Sequence, residues 1–248
     1  MRACILLLPL LATCGVDTFE ADFALPVIRS VSVRASNGTV RIRSGPAGQA
    51  KVIVRGNAGR PLDQTVKVTD SGETLLVEVA EDVSAAIELD ITAPGGAGLF
   101  AMCGDAAVDL GGKWGKVVVR TGKGGISARV DSVASGSLES HGGAIEFAAS
   151  AAGPTGDFAA KSLVGDVAIR MPADWRGRLH LSTQSGQLDV PSQPNLRITW
   201  DEGAKSLLAF AGPAWTEEDR KREMEEKGSP TALWGSSASG TVSFRLGD

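Results

Sequence analysis

The 248-residue chain has no tyrosine, only 5% aromatic residues, two histidines and three cysteines. Each shortage excludes something. So few aromatics speak against a thick core and for a narrow interior built from Ala, Val, Ile and Leu. The two histidines, His141 and His180, have no cysteines or carboxylates converging on them at metal-ligand spacing. A net charge of -4 without any basic block argues against a nucleic-acid partner. No apolar run is long enough to cross a bilayer as a helix. Gly122-x-Gly124-Gly125 opens a strand pattern instead of a helix, so it is not a phosphate loop, and no cofactor is expected.

What the chain has is glycine, 31 residues of it, returning on a period. One series reads Gly104-x-Ala106-x-Val108-x-Leu110, Gly124-x-Ile126-x-Ala128-x-Val130, Gly143-x-Ile145-x-Phe147, Gly165-x-Val167-x-Ile169-x-Met171 and Gly186-x-Leu188-x-Val190. A second, interleaved series reads Gly95-x-Ala97-x-Leu99-x-Ala101, Gly115-x-Val117-x-Val119, Gly136-x-Leu138, Gly156-x-Phe158-x-Ala160 and Gly177-x-Leu179-x-Leu181. Strict alternation puts every second side chain on one strand face, so each period of about twenty residues predicts two short strands. The expected fold is all-β: a β-solenoid, right-handed and β-helix-like, with two-strand coils of about twenty residues. Glycine is expected at the corners because the turn needs φ > 0. The competing fold is an antiparallel sandwich, which has no reason to keep both series in step.

The expected organisation begins with a signal at 1–14. Arg2 gives a minimal positive region, Ile5 to Ala12 is apolar, and Leu11-Ala12-Thr13-Cys14 resembles a bacterial lipobox that would place a lipid on Cys14. An ordinary cleaved signal peptide is the alternative; either exports the chain. Cys4 leaves with the signal, and with Cys14 lipidated the sole remaining thiol is Cys103, a small buried or half-buried residue by this reading and not a nucleophile. Residues 15–26 are expected as a tether. Residues 27–94, with Val31-x-Val33, Val52-x-Val54, Val66-x-Val68 and Val77-x-Val79 between tight-turn signals, are expected as antiparallel strands that cap the coil. Residues 95–248 are the coil itself, interrupted by a partly helical insertion at 201–235. Thr216 to Lys227 reads as a helix whose one apolar member is Met224, with Trp215 and Trp234 at its two ends as candidate docking anchors.

Ser36-Asn37-Gly38-x-Val40-x-Ile42, Leu89-x-Ile91-x-x-Pro94, the repeated Gly-x-Val units and the closing Ser239-Gly240-Thr241-Val242-Ser243-Phe244 resemble the bacterial putative-adhesin family of β-strand-repeat envelope proteins. The resemblance covers nearly the whole mature chain. It implies a fold, and a cell-envelope address in the periplasm or at the outer membrane or surface. The family is largely a domain of unknown function, called adhesin by analogy, and it supplies no catalytic residues.

Residues at equal offsets from the corner glycines should be neighbours on stacked strands, roughly 4.8 Å apart. That places Arg120, His141, Lys161 and Ser182 in one outward ladder, with Glu139 two residues from His141 on the same face. A Glu-His pair between two cations would serve as a general base with charge stabilisers or as an anion site; the plain alternative is a polar outer face. Three function classes follow. The first is a non-enzymatic, lipid-anchored scaffold or adhesin-like module with an envelope protein or glycan partner. The second is a carbohydrate-active β-helix enzyme using Glu139, His141 and Arg120. The third is a structural envelope-stress protein assembling through sheet edges.

Overall fold

The computed structural model describes residues 17–24, 28–200, 205–212 and 231–247, and they are all-β in one open sheet of mixed strand direction. The strands are β1 (Asp17–Ala24), β2 (Ser30–Ala35), β3 (Gly38–Gly45), β4 (Gln49–Gly56), β5 (Val66–Asp70), β6 (Thr74–Val79), β7 (Ile87–Pro94), β8 (Gly98–Cys103), β9 (Ala107–Thr121) and β10 (Ile126–Ser140). They continue with β11 (Ile145–Ala149), β12 (Phe158–Ser162), β13 (Val167–Met171), β14 (Gly177–Thr183), β15 (Leu188–Asp189), β16 (Leu196–Trp200), β17 (Ser206–Ala211), β18 (Ala232–Ser237) and β19 (Val242–Leu246). A single helical turn, α1 (Leu62–Thr65), precedes β5.

The sheet divides into two ladders. The first runs β1, β4, β7, β3, β9, β10, β11, β13, β19, β15. The second runs β5, β6, β2, β8, β9, β10, β12, β18, β14, β17, β16. The long strands β9 and β10 belong to both, their first halves in the first ladder and their second halves in the other. The chain therefore lays one strand on each ladder per period, as the two glycine series predict. Strands that share a period, such as β12 and β13, form one level.

The levels are not in sequence order. The β2–β3 level lies between β6–β7 and β8–β9, and the last level, β18–β19, lies between β12–β13 and β14–β15. Every level offers its neighbours the same backbone edges, so nothing in the local alternation dictates the stacking order. Three expectations are corrected here. Residues 17–24, expected within a tether, form β1 and pair antiparallel with β4. In the 27–94 unit only β4 and β5 make antiparallel pairs, with β1, β7 and β6, while β2 and β3 join the parallel ladders. Within the expected 201–235 insertion, residues 206–211 form β17 and residues from 232 form β18; the helix expected at 216–227 lies outside the described residues.

The corner from the second ladder into the first carries a repeated bond pattern. Thr121, Ser140, Ser162, Ser237 and Thr183 stand in register on consecutive levels, all 3–7% exposed. The N–H of the glycine three residues on donates to the hydroxyl: Gly143 to Ser140 at 2.8 Å, and Gly165, Gly240 and Gly186 to Ser162, Ser237 and Thr183 at 2.9 Å. Each hydroxyl in turn donates to the glycine carbonyl of the level before: Ser140 to Gly124 (3.1 Å), Ser162 to Gly143 (3.0 Å), Ser237 to Gly165 (2.9 Å) and Thr183 to Gly240 (3.3 Å). Two buried backbone groups per level are satisfied by one side chain.

The same contact explains the glycines. A Cβ at Gly124, Gly143, Gly165, Gly240 or Gly186 would overlap the backbone carbonyl of the adjacent level. None of these five has positive φ; in this row only Gly38 does, at 102°. The expectation of corner glycines serving left-handed turns is therefore replaced by close backbone approach between levels. Cys103 occupies the hydroxyl position one level before Thr121, which accounts for its burial. The opposite corner is filled by Trp114 and Trp175, 3% and 6% exposed, with the Trp114 indole N–H donating to the Gly111 carbonyl. Between the corners the inward residues interdigitate, with Phe147 and Phe158 stacked at 4.3 Å.

Gly165→Ala forces backbone into backbone and is expected to cost about 2–3 kcal/mol, and Ser162→Ala, which strands Gly143 O and Gly165 N–H, about 1–3 kcal/mol. Gly95→Ala, where a Cβ meets nothing closer than 3.9 Å and φ is not positive, should shift stability by no more than about 0.5 kcal/mol. Urea unfolding of the three variants checks the order.

Candidate functional site

The two outward faces differ in chemistry. On the first ladder, cations and carboxylates interleave: Arg41 with Glu88 (3.4 Å) and Asp90 (3.5 Å), Arg129 with Glu146 (3.9 Å), Arg245 with Asp189 (3.4 Å), and Arg43 with Asp109. That is a solvated, self-neutralised surface. The second ladder carries a central outward row, Leu76, Ser32, Phe100, Val118, Ser137, Ala159, Trp234, His180 and Leu208, running along the stack. Phe100 is 42% exposed, and Met102, two residues on along β8, is 56% exposed. Alternation that buries Leu99, Ala101 and Cys103 necessarily turns Phe100 and Met102 out.

Beside this row runs a polar one: Glu78, Arg34, Met102, Arg120, Glu139, Lys161, Ser236, Ser182 and Ser206. Arg120, Glu139 and Lys161 are direct neighbours in it, and Arg120 Nε lies 3.1 Å from Glu139 Oε2. His141 is not in the row. It sits past the end of β10, exposed, its N–H donating to the carbonyls of Thr121 and Gly122. The reason is register. Val117 pairs with Gly136, so Gly136 is not the counterpart of Gly115, and the ladder inferred from glycine offsets is displaced by two residues. A two-residue shift keeps the face and changes the neighbour. At an irregularity between Val130 and Ser132 the β9–β10 pairing offset itself changes by one residue. The arrangement brings no second carboxylate beside Glu139, whose neighbours in the row are both cations.

Trp234 is half-buried on β18 and stacks on His180, with ring centroids 5.8 Å apart and planes 21° from parallel. Trp215, Met224 and Cys14 lie outside the described residues. Two grooves open on this face. One, about 930 Å³, runs beside α1 and is lined by Arg34, Met102, Cys103, Arg120 and His141 among others. Burial pushes the Cys103 thiol up to about 12, so it is no nucleophile at neutral pH. The other, about 690 Å³, is lined by Lys161, His180, Ser182, Ser206, Leu208, Trp234 and Ser236. Among the described residues no three His, Cys, Asp or Glu side chains are grouped to hold a metal ion. Sequence reasoning missed Phe100, Met102 and the Trp234–His180 contact. The first two were visible as apolar residues at outward positions of an alternating strand; the third needed the stacking order, because β18 and β14 are more than fifty residues apart in sequence.

Burial, and then the Arg178 guanidinium two residues away, hold the His180 imidazole below its ordinary pKa. The unfolded chain therefore binds the proton more readily, and stability contributed by neutral His180 is present above pH 6.5 and lost as pH falls through that range. An NMR titration should place the His180 midpoint below 6.5, and Arg178→Gln should raise it.

No family model matches the chain, and no curated protein matches it. Solved structures do. A putative cell adhesion protein from Clostridium sporogenes aligns with a TM-score of 0.55 at 9% identity, covering 93% of this chain and 100% of its own. A putative adhesin from Bacteroides fragilis aligns with a TM-score of 0.46 at 13% identity, covering 92% of this chain and 97% of its own. The chain shares, over nearly its whole length, the fold of the solved Clostridium sporogenes protein.

Proposed function

We propose that this chain is a non-enzymatic, exported cell-envelope interaction module, adhesin-like, whose contact surface is the outward face of the second ladder. The observation that carries this is the asymmetry between the two faces. Ion pairs dominate the first, while the second, beside its Arg34–Glu78 and Arg120–Glu139 pairs, leaves Phe100, Met102, Val118, Trp234 and Leu208 outward. A row rich in outward apolar and aromatic side chains with polar flanks is the composition of a contact site. The levels read as turns of a right-handed β-solenoid, the hand parallel crossovers take, and its rigidity would let several weak contacts engage together. The name of the Clostridium sporogenes protein, a putative cell adhesion protein, agrees with this reading.

Anchoring comes from the sequence: the lipobox-like Leu11-Ala12-Thr13-Cys14 would tether the module through lipid on Cys14. No helix among the described residues is long and apolar enough to cross a membrane. A glycosidase would use two carboxyl groups flanking the scissile bond, whereas Glu139 is engaged by Arg120. Assembly through the outer edge of β19 is opposed by Gln193, whose amide accepts from Leu246 N–H at 3.0 Å and donates to Leu246 O at 3.3 Å, occupying both groups a partner strand would use.

Two experiments test this. Intact mass and membrane fractionation of the full chain beside Cys14→Ala should show lipid on the first and release of the second into the soluble fraction. Phe100→Ser combined with Met102→Ser should leave the melting temperature nearly unchanged, since both side chains are exposed, yet weaken retention on bacterial envelope vesicles by roughly tenfold. Unchanged retention would remove the second-ladder face as the contact surface.

A further inference from the structure

The groove across β12, β18, β14 and β17 has a composition unlike the rest of the contact face. On one side of Trp234 the His180 ring is stacked. On the other side its neighbour in register is Ala159, followed by Ser137, so the second side of the indole adjoins two small residues. Next to this notch is Lys161, two residues along from Ala159. Beyond it the hydroxyls of Ser236, Ser182 and Ser206 stand in register on three consecutive strands, and none makes a hydrogen bond to another described residue.

Among the described residues, the charge that lines the groove is of one sign. No acidic side chain lines it. Lys161 has no ion-pair partner among the described residues, since its neighbour Glu139 is engaged by Arg120. Arg178, two residues before His180 on the same face, lies outside the groove lining, and its buried Nε has no hydrogen-bond partner among the described residues. The groove thus combines an aromatic platform, a row of three hydroxyls and one cation, Lys161, with no carboxylate lining it among the described residues.

We propose that this groove binds a carboxylate-bearing pyranose, a hexuronate unit of an acidic glycan. The apolar C–H face of the sugar ring would lie on Trp234 over Ala159, its ring hydroxyls would exchange hydrogen bonds with Ser236, Ser182 and Ser206, and its carboxylate would meet Lys161. The mixture is what ligand sites show: an apolar surface with a few placed polar groups. A protein partner fits less well, because three small hydroxyls and a narrow notch offer no pocket for a large side-chain anchor. The inference rests on the second-ladder face being the contact surface and specifies what one end of it recognises.

The test is calorimetric titration of the full chain with galacturonate, mannuronate and glucuronate tetramers, and with the methyl-esterified galacturonate tetramer as the neutral counterpart. Binding of at least one uronate is expected. Lys161→Gln and Trp234→Ala should each weaken it by roughly tenfold, Trp234→Phe should retain most of it, and Arg129→Gln on the opposite ladder should leave it unchanged. Lys161 is exposed, so its variant folds even if Trp234→Ala does not. No binding to any uronate overturns the proposal, as does binding that survives Lys161→Gln or is equal for the methyl ester. The two readings separate cleanly. If no uronate binds while the Phe100→Ser, Met102→Ser variant loses envelope retention, the contact face stands and the glycan site falls. If uronates bind but that variant is retained normally, the glycan site stands and the Phe100–Met102 end of the face falls as the envelope contact.

Discussion

The corner where a buried hydroxyl bridges two levels is the contact on which the rest of the structure depends. Parallel ladders stack at a spacing set by backbone hydrogen bonds, and at the corner the chain must turn while staying at that spacing. Its N–H and C=O groups there point along the stack and would be orphaned without a partner. Ser140, Ser162, Ser237 and Thr183 solve both halves at once, accepting from the glycine of their own level and donating to the glycine carbonyl of the level before. The glycine is required because its neighbour's carbonyl stands where a Cβ would go. Hydroxyl and glycine, three residues apart, are one device.

Everything outward follows from holding the levels in register. Because the corner pins each level, side chains on successive strands line up into straight rows, and chemistry that is scattered in sequence becomes continuous along the stack. The first ladder turns that regularity into a run of compensated ion pairs. The second turns it into a row rich in apolar side chains, bordered by ion pairs at one end and by Lys161 and three hydroxyls at the other. The antiparallel strands β1, β4 and β5 at one end and β16 and β17 at the other enclose the parallel stack, and Gln193 covers the edge that β15 is too short to pair.

How far the candidate site could be read in advance is clearest at Glu139 and Trp234. Face was legible: alternation assigned Arg120, Glu139 and Lys161 to the outside, and they are outside. Neighbourhood was not. Glycine offsets paired His141 with Arg120, but Gly136 aligns with Val117, and the position beside Arg120 belongs to Glu139. The signal that could have corrected the register was the Ser/Thr residue three before each first-series glycine, in Thr121-x-x-Gly124, Ser140-x-x-Gly143 and Ser162-x-x-Gly165, because the hydroxyl and not the glycine spacing alone marks equivalent positions. The contact between Trp234 and His180 had no such signal, since it exists only because β18 is inserted between β12 and β14.

By itself the sequence determined the strand content, the two-strand period, which side chains face in, and the small-residue interior, because each of these is a property of one strand or one turn and is set by alternation and by steric limits within a few residues. Tertiary structure alone decided the order of the levels, the register between them and hence every outward row. Any level can pair with any other through backbone groups that are the same in all of them. What differs between levels is the side chains they bury, such as Phe147 stacked on Phe158 and Trp175 against Phe244, and such contacts between levels are not encoded in any local pattern.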